Sequence, residues 1–153
     1  MTDIKTMTDD ETIERALEIL KARLAYTTGT VGFSNSETTK EFLKLRLAGR
    51  EHEVGAFMFL TTQNRLIAYE EMFHGTIDRA AIHPREVVKR ALFHNAAGVI
   101  MAHNHPSSNA TPSPQDHAIT QKLGEALQLV DIRLLDHIIV GVGPAVSLKE
   151  LGF

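Results

Sequence analysis

Residues 101–116, MAHNHPSSNATPSPQD, set two histidines one residue apart, then a run of Ser, Asn and Pro, then an aspartate. An apolar run, 96–102, leads into them. Such a run ending in polar side chains reads as a buried strand that emerges at the rim of a sheet. Residues i and i+2 of an extended chain point to one face, so His103 and His105 can turn both rings toward one point. Asn104 then faces away or bonds nearby backbone. Ser113, Pro114 and Asp116 form a helix start: a hydroxyl cap, a proline at the first helical position and an acid in the first turn. The loop 106–112 is long enough to fold back and bring the Asp116 carboxylate to the two imidazoles. Two imidazoles, one carboxylate and a water make an ordinary catalytic zinc shell. The plainer reading is a polar turn in which Asp116 serves only the helix dipole and cap. Spacing alone leaves both open, and the zinc-helix signature His-Glu-x-x-His is absent from the sequence.

Upstream, Pro84 opens a helix whose apolar face is Val87, Val88, Ala91 and Leu92. Residues 54–61 read as an almost wholly apolar strand, Gln63-Asn64 as a turn and 65–73 as the returning strand. Ile13, Leu17, Leu20 and Leu24 recur at helical spacing over 11–24. Ser36 is a candidate cap for a second helix holding Phe42, Leu43, Leu45 and Leu47, which Gly49 ends. The Gly, Ser, Thr and Asn between the two helices, 25–36, predict a loop. Downstream, Ile119, Leu123, Leu127 and Val130 give the helix after the loop its buried side. Residues 132–140 form a further strand, loosened at its end by Gly141 and Gly143. The order predicts a mixed α/β domain around a central sheet. It divides into a disordered tail over 1–10, a helical N-terminal segment over 11–49 and the main domain over 50–153.

At 153 residues the chain suits one domain, and its 43% apolar and 23% charged residues are ordinary for a globular fold. The absence of cysteine removes disulfides, thiolate ligands and a thiol nucleophile, and suits a cytoplasmic protein. Any metal must then be held by His, Asp, Glu or water. A net charge of −3 argues against a dominant electrostatic grip on nucleic acid. No apolar run nears the roughly 20 residues that span a bilayer, and the polar N-terminus is no secretory signal. A homodimer through a strand edge or the N-terminal helices is compatible with the pattern but not derivable from it.

His103-x-His105 followed by Ser113-x-x-Asp116 resembles the JAMM motif of MPN-domain metalloproteases. HPREVVKRAL, AHNHPSS, TPSPQDHAIT and LLDHIIVG resemble the DNA repair protein RadC family, over about 51–141. The resemblance implies an MPN-like mixed sheet flanked by helices, with cytidine-deaminase-like layering. It also implies Zn2+ on His103, His105 and Asp116, and a distant glutamate as general base. It places that base at Glu53. Glu51 is the rival, because the two can share one face of an extended segment. In the implied chemistry, zinc lowers the pKa of its water and Glu53 takes the proton. Hydroxide attacks a carbonyl carbon of a peptide or protein substrate, and Glu53 returns the proton to the leaving amine. Ser113 donates to the oxyanion unless its hydroxyl is occupied in capping.

The family name implies a second class, a DNA-repair- or nucleic-acid-associated domain with a structural or vestigial metal site. A binding domain has no need of the full His-x-His, Asp and Glu set, and one His-rich site is unlike the paired, carboxylate-rich sites that handle phosphodiesters. Ser108 stands where the family often has glycine, and Thr61 where it often has aspartate. Asp136 and His137 interrupt an apolar strand and need partners; they could orient loops near the metal, but read rather as structural. His83, Arg85 and Glu86 read as a brace around the site, and His74, His94 and His117 as surface residues.

Overall fold

The computed structural model describes residues 6–26, 36–75 and 82–153. In chain order these form α1 (Asp9–Tyr26), α2 (Ser36–Leu47), β1 (Val54–Leu60), β2 (Leu66–His74), α3 (Pro84–Phe93), β3 (Gly98–Asn109), α4 (Pro114–Gln128), β4 (Arg133–Val142) and β5 (Val146–Ser147). The strands make one mixed sheet in the order β2-β1-β3-β4-β5. β3 and β4 run parallel and the other neighbours antiparallel. A parallel pair cannot be closed by a tight turn, and α4 supplies the crossover.

Side-chain alternation sorts the core into two layers. Val54, Ala56, Met58 and Leu60 of β1, Ile100 and Ala102 of β3, and Ile138 and Val140 of β4 face α1 and α2, against Leu17, Leu20, Phe42, Leu43 and Leu47. Phe57 and Phe59 of β1, and Val99 and Met101 of β3, face α3 and α4, against Val87, Ala91, Leu123 and Leu127. The expected helix-flanked mixed sheet is the observed architecture. Among the described residues no helix is long and apolar enough to cross a membrane.

Several boundaries differ from the sequence reading for local reasons. α1 starts at Asp9, inside the expected tail, because Thr8 and Glu11 form a reciprocal cap: Thr8 N–H donates to Glu11 Oε2 at 2.9 Å and Glu11 N–H to Thr8 Oγ1 at 3.2 Å. Ser36 lies inside α2, and its hydroxyl donates to Glu150 at 3.0 Å. α4 ends at Gln128, so Val130 lies beyond it and is exposed rather than on the buried side. The largest difference is β3. It does not stop with its apolar residues at Ala102 but runs to Asn109, pairing with β4 as far as Asn104↔Val140 and again, after an irregularity, at Asn109↔Val142. Backbone pairing continues where hydrophobicity ends. The turn after β1 falls as expected, with Asn64 left-handed at φ 60°. Thr61 Oγ1 accepts from the N–H groups of Gln63 and Arg65, both at 3.2 Å, an acceptor role aspartate can also fill. The tail over 1–5 and most of the expected loop over 25–36 lie outside the described residues.

Candidate metal centre

His103 is the continuation of the β3 face that carries Val99 and Met101, so it points to the α4 side of the sheet. His105 follows on the same face. α4 begins above them with a full capping box: Ser113 Oγ accepts the Asp116 N–H at 3.1 Å, and Ser113 N–H donates to Asp116 Oδ2 at 2.7 Å. The box that starts the helix therefore also aims the Asp116 carboxylate. His103 Nε2 lies 3.1 Å from Asp116 Oδ1, His105 Nε2 lies 3.3 Å from Oδ2, and the two Nε2 atoms are 2.9 Å apart. His103 and Asp116 are buried and His105 partly so.

The other ring nitrogens decide what these three side chains can hold. His105 Nδ1 lies 3.0 Å from the Asn109 carbonyl, which only accepts, so Nδ1 carries a proton. His103 Nδ1 lies 2.6 Å from Nε2 of the buried His137. Two imidazole Nε2 atoms and a carboxylate thus converge, and a cation, either a proton or a metal, would bridge them. Asp116 is in keeping with this. Burial raises its pKa, but the hydrogen bonds with His103 and His105 and the Ser113 N–H outweigh that and hold the carboxyl well below the usual range. The contact with Asp116, against burial, raises the pKa of His105. A tetrahedral ion with ligands at about 2.0–2.1 Å keeps them about 3.3 Å apart. The observed spacings and the nitrogen-oxygen donor set fit a divalent ion of the zinc class.

Glu53 precedes β1, where Gly55 pairs with His103. Continuing that antiparallel register sets Glu53 opposite His105, and its negative charge is among the influences that raise the His105 pKa. Asn104, on the reverse face, clamps the backbone on both sides of Glu53. Its Oδ1 accepts the Val54 N–H at 2.7 Å and its Nδ2 donates to the His52 carbonyl at 3.0 Å. Glu51 and His52 form a bend before the extended segment, so Glu51 does not share the register. Glu51 instead lines a cavity of about 340 Å3 with Arg50, His105, Ser107 and Gly141.

The structure brings His103, His105, Asp116 and Ser113 together, and Glu53 lies just before β1, its charge acting on His105. The brace expected from His83, Arg85 and Glu86 takes a different form: His83 rests against Phe73, and the exposed Arg85 lies 3.8 Å from Glu86. His94 is not a surface residue; it stacks on Phe59 and meets Glu70 at 3.3 Å. His117 is half-buried against Phe153. Ser108 does not carry the unusual backbone angle of its loop; Ser107 does, at φ 59°. Sequence reasoning missed Thr120, and it read His137 as structural without placing it against His103. The signal was present: a histidine at the centre of an apolar strand needs a partner, and the parallel register sets Met101 beside His137 and His103 two residues on.

An α/β/α sandwich with a His-x-His strand end facing a helix-capping aspartate defines an MPN-like domain with a candidate metal site. A family model described as the RadC-like JAB domain matches residues 33–153. The chain is 48% identical over 151 residues to the UPF0758 protein YfjY of Escherichia coli, covering 99% of this chain and 93% of that one. It is 52% identical over 141 residues to a UPF0758 protein of Vibrio cholerae, covering 92% and 87%. With a UPF0758 protein of Cellvibrio japonicus it shares 58% identity over 120 residues, 78% of this chain but 54% of that one. The chain belongs to the RadC-like JAB domain family.

Proposed function

We propose that this protein is a metal-dependent hydrolase of peptide or isopeptide bonds, with zinc as its ion. The observation that carries the reading is the convergence of two imidazole Nε2 atoms and one carboxylate within 4.8 Å. His103, His105 and Asp116 would hold the ion. When bound, it supplies Lewis acidity, easing deprotonation of a water and balancing charge that develops on a carbonyl oxygen. Glu53 takes the water's proton and returns it to the leaving amine. Its neighbours in the backbone, His52 and Val54, are both held by Asn104. The Ser113 oxygen is engaged as an acceptor in capping, but its O–H proton is left to donate to a developing oxyanion. The cavity beside His105 offers room for an extended chain to approach.

Metal content and Zn2+ affinity, measured on the purified protein, test the site. The expected result is one ion per chain, lost in the His103→Ala/His105→Ala double variant and in Asp116→Ala. Glu53→Gln is expected to keep the ion and to lose cleavage of a peptide library by at least about 100-fold, the scale of a general base, while Glu51→Gln keeps both. A wild-type protein that folds yet takes up no Zn2+ overturns the hydrolase reading and favours a nucleic-acid-associated or scaffolding role.

A further inference from the structure

His137 is buried on β4 between His103 and Thr120, and burial disfavours the charged form of an imidazole. A neutral imidazole has one donor and one acceptor nitrogen. Its Nε2 lies 2.6 Å from His103 Nδ1, and its Nδ1 lies 2.6 Å from Thr120 Oγ1. Thr120 Oγ1 in turn lies 2.6 Å from the Asp116 carbonyl oxygen. That carbonyl can only accept, so the single hydroxyl proton of Thr120 goes to it. The hydroxyl oxygen must then accept from His137, which puts the His137 proton on Nδ1 and leaves Nε2 as an acceptor. His103 therefore donates from Nδ1, and its Nε2 lone pair faces Asp116 and His105.

We infer that Thr120 and His137 are positioning residues that fix the tautomer of His103 through this directional chain. The inference deepens the proposed metal site, on which its functional meaning rests, and extends it to two residues that touch no candidate ligand atom. The chain has a definite polarity. Without the Thr120 hydroxyl, His137 has no acceptor for Nδ1–H and gains by moving its proton to Nε2. His137 then donates to His103 Nδ1, and the His103 proton is driven to Nε2, the atom required for a metal.

The test combines tautomer assignment with metal affinity. Nitrogen-15 shifts and two-bond couplings of the His103 and His137 rings are measured on metal-free protein, for wild type, Thr120→Val and Thr120→Ser, with thermal melts to confirm folding. Zn2+ affinity is measured by competition with a chelating dye. The expected result is His103 and His137 both protonated at Nδ1 in wild type and in Thr120→Ser. Thr120→Val is expected to shift both protons to Nε2 and to weaken Zn2+ binding by about 10–100-fold, the usual scale for an outer partner. His103 protonated at Nε2 in wild type overturns the inference, as does unchanged affinity in a folded Thr120→Val. If the wild type takes up no Zn2+ yet shows His103 protonated at Nδ1, the relay stands and the hydrolase reading fails.

Discussion

Gly141 shows how little slack surrounds the site. A Cβ at this position would lie 2.6 Å from each of Ser108 O, Asn109 C and Ala110 N, all backbone atoms. Backbone cannot step aside as a flexible side chain can, so Gly141→Ala is expected to destabilise by about 1–3 kcal/mol. Urea unfolding with an unchanged m-value checks this. Because Asn109 also holds His105, the same variant should weaken Zn2+ uptake. Glu70 offers a test by pH. Hydrogen bonds from Arg90, against burial, hold its carboxyl below the ordinary value of 4.5. A depressed carboxyl adds stability above its unfolded pKa and loses it as pH falls through the folded one. Glu70→Gln should therefore melt lower than wild type at pH 7, with the gap closing as pH drops below about 4.5. Spacing and type made the histidine pair and Asp116 candidates, and the family resemblance joined them into one set. The placing of His137 and Thr120 was not legible, because a hydrogen-bond chain across β3, β4 and α4 depends on which strands are neighbours.

Among the elements, α4 was the most legible and β3 the least. Ser113, Pro114 and Asp116 carry a complete start signal in four residues, and the structure uses all of it. Ser113→Ala removes a cap whose usual worth is about 1 kcal/mol. It should lower stability by that amount and also loosen Asp116, so metal affinity is expected to fall together with the thermal midpoint. A variant that loses stability but keeps affinity would show that the carboxylate is held without the box. β3 hid its length because strand signals are written in side chains. From 106 to 109 its sequence is Pro-Ser-Ser-Asn, and the pairing with β4 that lapses after Asn104 resumes at Asn109↔Val142.

At the scale of the whole molecule, the family match begins at residue 33, yet α1 lies before it and contributes Leu17 and Leu20 to the core beside Phe42 and Leu43. Leu20→Ala is expected to cost about 2–5 kcal/mol, and a chain starting at Ser36 should bind a hydrophobic dye that the full chain does not. Fold class was legible because element order and alternation limit a chain of this size to a layered sheet. Strand order was not, since local patterning does not say that β3 sits between β1 and β4.

The candidate ligands lie within the single stretch 103–116, whereas the Asn104 clamp that sets Glu53 joins residues 50 apart in sequence. Short loops close at small entropic cost, and distant pairings come later in folding. On the proposed reading, the cluster that would hold an ion is built from local contacts, while the placing of Glu53 waits for β1 to zip onto β3, so the two would be separable in the order of folding.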